Sequence, residues 1–263
     1  MNDGFADSLE LVDDRPTYRV GRIAFFLIAV GVGLASLSHL AQATFFLTRS
    51  FHLLAILRSS AWEWGVVGPG SLASFLGTML LLNRTIDRHW KSRVVFLFVI
   101  QSYFFGWFCL DHVKMLEPGA AVNPVRRSDL AELILWVGTR SLGLVAMLIV
   151  GSLAWDVCRR LRSVECEPLF RASRSAATIG LTLWCFYVMR RVDWRELWPP
   201  RIFIFFDPQA FHIQIGAVLA RAVSGFLAMI LCGHAAMACS RELRRLDHEM
   251  TEQDPFRSRS EWS

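Results

Sequence analysis

The apolar stretch from Arg22 to Leu47 limits most sharply what this chain can fold into. A helix needs about 20 apolar residues to cross roughly 30 Å of hydrocarbon at 1.5 Å per residue. This stretch exceeds that length with no Asp, Glu or Lys in it and no Arg beyond its first residue. Five more candidate spans follow: Trp62 to Leu82, Arg93 to His112, Glu132 to Trp155, Ser175 to Met189 and Phe211 to Cys232. The fifth of the six has only about fifteen residues between Arg174 and Arg190, and arginines at both ends can snorkel to the headgroups and let it serve. With 54% hydrophobic residues in 263, the chain reads as an all-α integral membrane protein, a bundle of about six transmembrane helices. Five or seven spans are the alternatives.

Ala41-Gln42-Ala43 fits the small-x-small rule for signal-peptide cleavage. The preceding region argues against cleavage, because it is long and carries five acids against two arginines, whereas signal peptides begin short and basic. An uncleaved first span is expected, preceded by a polar cytoplasmic segment, residues 1–21. A flexible cytoplasmic tail is expected over residues 241–263.

The formal charge of +5 does not indicate a nucleic-acid partner, because the basic residues sit in short blocks between apolar runs. With six spans, the two termini, the second loop and the fourth loop share one side and hold fifteen membrane-proximal arginines and lysines, against nine opposite. The positive-inside rule then places both termini in the cytoplasm of a bacterial-type inner membrane. The six cysteines include no CxxC pair and read as free thiols, with Cys158 and Cys166 in a polar cytoplasmic loop.

The stretch RRVDWRELWPPRIFIFFDPQAFH, residues 190–212, is the largest exception to that charge rule. Trp194 and Trp198 are four apart and share one face of a short interfacial helix, with Arg191 and Arg195 toward water. Pro199 and Pro200 stop it. An interfacial cap over the outer face is expected.

Polar groups inside spans are costly, and so informative. Arg140 and Arg221 fall eight and about ten residues into spans that run from outside to inside, roughly 12–15 Å deep at 1.5 Å per residue. Each costs about 2.5–3.5 kcal/mol near mid-bilayer, so two at one depth point to a shared anionic partner. Gly216, Ala220, Ser224, Ala228, Cys232 and Ala236 make a small-residue stripe beside Arg221, and Gly31, Ala35, His39 and Ala43 make another. Gln214 lies seven residues before Arg221, on its face, and Glu63, Gln101, Asp111, His112, Asp207 and His212 add polar groups to the outer half.

These residues suggest a polar cavity open to the outside. Arg140 and Arg221 would hold a carboxylate, phosphate or lipid headgroup, with His39 and Gln214 donating or accepting hydrogen bonds. The expected partners are the lipid bilayer, an anionic lipid or small anionic ligand, and other membrane subunits. In the competing reading, the arginines pair with Glu132, Glu63 or Asp207 and the chain is a structural or assembly subunit. A haem- or quinone-binding electron-transfer subunit is a third, weakened because no two histidines match in depth for bis-histidine ligation. No metal or other cofactor is expected, since HExxH and paired-cysteine motifs are absent. Gly138-Thr139-Arg140-Ser141-Leu142-Gly143 lacks the GxSG that a rhomboid-like protease would need, and nucleotide-binding motifs are missing.

Overall fold

The computed structural model describes residues 15–82, 88–116, 129–161, 166–191 and 208–253. Among them there is no strand. The helices are α1 (Arg15–Thr48), α2 (Phe51–Leu57), α3 (Ser60–Trp62), a π-helical turn (Glu63–Val67), α4 (Gly68–Leu82), α5 (Arg88–Leu116), α6 (Asp129–Arg160), α7 (Glu167–Arg191) and α8 (Pro208–Gln253). Five stretches are long and apolar enough to cross a membrane: Arg15–Thr48, Ser60–Leu82, His89–Leu110, Val137–Arg160 and Phe211–Glu249. α7 has the length, 25 residues, but Glu167, Arg171, Arg174, Arg190 and Arg191 at its ends dilute its apolar middle.

The long helices form a ring. α1 packs along both α8 and α4, α4 on α5, α5 on α6, and α6 on α8. α7 lies outside that ring, against α6 and α8. Packing in hydrocarbon has no hydrophobic drive and depends on close approach, which small side chains permit. A Cβ on Gly31 of α1 would meet Gly70 O at 2.6 Å and Ser74 N at 2.7 Å on α4, and one on Gly77 would meet Ala24 O at 2.7 Å. The expected stripe on α8 is buried at Ser224, Ala228, Cys232 and Ala236. The Ser224 and Ser173 hydroxyls donate to each other's backbone carbonyls at 3.2 Å, joining α7 to α8. The largest core side chains, Trp90, Phe25, Leu97, Leu153 and Leu231, fill the ring toward the start of α1.

The α5–α6 contact is the sparsest between neighbouring long helices, and polar groups hold it. Arg93 Nη2 donates to Asp156 Oδ2 at 2.5 Å while Nη1 donates to Ser152 Oγ at 3.3 Å. Removing one partner of a half-buried pair leaves the other charge uncompensated, whereas replacing both with apolar groups removes the partial desolvation cost as well. Asp156→Ala is therefore expected to lower the melting temperature in detergent more than the double change Arg93→Met/Asp156→Met. A double variant that melts lower than Asp156→Ala would contradict this.

Several boundaries differ from the sequence reading. α1 begins at Arg15, not Arg22. α8 continues past Cys232 to Gln253, its polar end supported by Arg245 pairing with Glu242 at 3.4 Å and Glu249 at 3.0 Å. Arg15 Nη1 lies 3.6 Å from Asp247 Oδ1, so the start of α1 and the end of α8 are neighbours. Residues 51–61, between the first two expected spans, contribute α2 and most of α3, with Ser50 and Ser59 accepting backbone N–H groups as caps. Cys158 and Cys166 are both fully buried at the end of α6 and the approach to α7, where Cys158 packs into the apolar core and not into a solvated loop. The expected cap, with Trp194 and Trp198, lies outside the described residues.

Candidate functional site

A cavity of about 440 Å³ sits within the helix ring, walled by α1, α4, α5, α6 and α8 with Leu57 of α2 and Trp62 of α3 at one end. That volume is in the range typical of small-molecule sites, about 300–1,000 Å³. His39, Arg140 and Arg221, three of the four residues singled out from sequence, line it. Gln214 does not. It lines a small neighbouring pocket together with Arg140, Arg221 and Trp184, so both arginines form the partition between the two spaces.

Local geometry explains this convergence. α1 brings His39 and Gln42 one turn apart on a single face, and Arg140 Nη1 donates to Gln42 Oε1 at 3.4 Å. Arg221 reaches across from α8 to α6, where a Cβ on Gly143 would overlap its guanidinium. Gly143 is thus the gap that admits Arg221, three residues along α6 from Arg140. Among the described residues neither arginine forms a salt bridge. Among the described residues, Arg221 Nε and His39 Nδ1 are shielded and have no hydrogen-bond partner. Buried polar atoms without a partner are rare in folded proteins.

Other lining groups give the cavity two characters. Glu63 of the π-turn and Gln101 of α5, both among the polar candidates from sequence, face it, as do Ser38, Ser71 and Ser74. Phe104, Trp107 and Phe108 of α5 add aromatic rings to the lining. The π-turn has a cause in Pro69, which has no N–H to bond the Gly65 carbonyl, and Gly68 N–H turns instead to the Glu63 carbonyl five residues back. That widened turn carries Glu63, Val66 and Val67 into the cavity wall. Gly68-Pro69-Gly70-Ser71 accordingly marks close packing, with a Cβ on Gly70 only 3.1 Å from Leu34 Cβ.

Some sequence candidates lie elsewhere. His212 is exposed and is not part of the cavity wall. Ser141 faces α7, where Trp184 Nε1 donates to its hydroxyl at 3.2 Å. The side chains of Asp111, His112 and Glu132, and all of Asp207, lie outside the described set. His39 is the one histidine among the described residues lining the cavity, and no group of three His, Cys, Asp or Glu there could hold a metal ion. Gln42 and Thr139 were not foreseen as site residues. The signal for Gln42 was its position one turn after His39; Thr139 precedes Arg140 directly. Comparison with protein-family models, with curated proteins and with solved structures finds no match for this chain.

Proposed function

We propose that this chain is a multi-pass membrane protein that binds or transfers a small anionic or lipid-linked ligand in the cavity between Arg140 and Arg221. One observation carries the reading: two guanidinium groups share one cavity with no carboxylate bonded to either among the described residues. Placing two like charges in a low-dielectric interior is costly unless a counter-charge arrives. Glu63 lines the same space without an ion pair to either arginine among the described residues. A carboxylate or phosphate accepts the planar N–H fork of each arginine, which suits such oxygens better than a lysine point charge. His39 lines the same space and offers a further hydrogen-bonding group.

The membrane placement that goes with this reading has six crossings, both termini cytoplasmic, the cavity facing the outside and residues 190–207 capping it. The neighbouring Arg15 and Asp247 support an even number of crossings, which requires α7 to cross along with the five more apolar helices. The excess of arginine on the terminal side supports its orientation. A bacterial-type inner membrane fits that charge pattern.

Native mass spectrometry of protein released from nanodiscs tests the reading. The unaltered protein is expected to carry a small anionic species that Arg140→Ala/Arg221→Ala lacks, with expression nearly normal. Hydrogen bonds to charged groups contribute about 1.5–3 kcal/mol each, so losing two weakens retention on the order of 100-fold or more. Equal retention by the double variant would sink the proposal.

A further inference from the structure

The cavity is large for a free inorganic anion. Its volume of about 440 Å³ is many times the ~30 Å³ that a water molecule occupies in the liquid, and a phosphate held between the arginines would leave most of it unfilled. Phe104, Trp107 and Phe108 line it as well, and their rings suit hydrocarbon.

The cavity also reaches a seam in the ring. Residues on both sides of the α5–α6 contact line it, Gln101 and Phe104 from α5 and Thr139, Gly143 and Met147 from α6. That contact is the sparsest in the ring. It is bridged by Arg93 with Asp156 and, ten residues along α5, by a hydrogen bond of 3.0 Å between the Tyr103 and Thr139 hydroxyls. Trp107 lines the cavity and is still 41% exposed, so the cavity meets the surface beside it. The same helix presents Val99 and Phe96 outward, a surface suited to lipid tails.

We propose that the ligand is an amphiphile whose anionic head lies between Arg140 and Arg221 while its hydrocarbon tail leaves through the α5–α6 seam at Tyr103 and Thr139. This rests on the anion-binding reading above and narrows it, since a water-soluble anion needs neither the aromatic lining nor a lateral opening. The Tyr103–Thr139 bond closes the seam and must part when the tail passes. The head reaches the arginines sideways from the bilayer.

Two measurements test it. In detergent, the unaltered protein is titrated with oleoyl lysophosphatidate and with inorganic phosphate, each beside Arg140→Ala/Arg221→Ala. The lipid is expected to bind at least 100-fold more tightly than phosphate, with both dependent on the arginines. Comparable affinities would overturn the amphiphile while leaving the anion site standing. Failure of both probes to bind in an arginine-dependent way would overturn the anion site itself. The second measurement uses Tyr103→Cys/Thr139→Cys with exposed Cys109 and Cys185 changed to serine, bridged across the seam by a short reducible bis-thiosulfonate. Bridging is expected to cut the rate of lipid binding at least tenfold, with recovery on reduction and little change in phosphate binding. An unchanged lipid rate would overturn the lateral route, and the comparison on the unaltered protein stands even if the cysteine variant does not fold.

Discussion

Gly31→Val is expected to leave little or no folded protein in the membrane. The first added carbon would lie 2.6 Å from Gly70 O and 2.7 Å from Ser74 N, backbone atoms that cannot rotate aside. Overpacking a well-filled contact costs about 1–3 kcal/mol or more, and here relief requires α4 to move bodily away from α1. Because α1 also packs along α8, the displacement cannot be absorbed by shifting α1 instead. The contrast with other glycines makes the prediction specific. A Cβ on Gly33 would meet only the flexible Met229 side chain, its Sδ at 2.6 Å, and one on Gly106 or Gly138 would meet nothing within 4 Å. Gly33→Ala is expected to be tolerated, and Gly106→Ala and Gly138→Ala to be neutral or stabilising, since glycine is about 1 kcal/mol worse than alanine within a helix. Membrane accumulation and the melting temperature of the purified protein check the series. If Gly31→Val accumulates and melts like the unaltered protein, α1 and α4 are not in backbone contact.

Arg221→Met is expected to stabilise the ligand-free protein and abolish its response to anionic ligand. A guanidinium whose Nε has no acceptor among the described residues brings its desolvation cost to the fold without an ion pair to offset it. Replacing it with a flexible apolar side chain of similar length removes that cost, a gain on the order of 2 kcal/mol. Function then accounts for the arginine, in the sense that binding sites are commonly kept at the expense of stability. An anionic ligand at 100 times its dissociation constant should stabilise the unaltered protein by about 2.7 kcal/mol and Arg221→Met hardly at all. If Arg221 instead locks the bundle, Arg221→Met melts lower with or without ligand. The sign of the shift in ligand-free detergent solution decides between a binding role and a packing role.

Much of the architecture was legible in the chain because length and hydrocarbon thickness constrain it directly. The long apolar runs became α1, α4, α5, α6 and α8, and the spacing-four stripe on α8 became its buried face. Arg140, Arg221 and His39 were legible for the same reason, as polar groups that an apolar helix carries only at a cost. Helix ends were less legible. The polar end of α8 is held by pairs such as Arg245 with Glu249, whose contribution a hydropathy argument does not register. The helical character of residues 51–62 depends on serine caps in a stretch too short to carry a clear period.

The chain by itself determined that helices of membrane-crossing length would form, and which costly polar groups they would carry, because both follow from local composition and a fixed rise per residue. Which of those groups meet was decided only by the tertiary structure. Gln42 was read as part of a cleavage-like tripeptide, yet it receives a hydrogen bond from an arginine 98 positions away. Gln214 shares a helical face with Arg221 but sits behind the arginines in the smaller pocket. Gly143 makes room for a side chain from another helix. Such contacts depend on the azimuth and depth at which helices dock, set by small residues on facing surfaces, and no single helix carries that information.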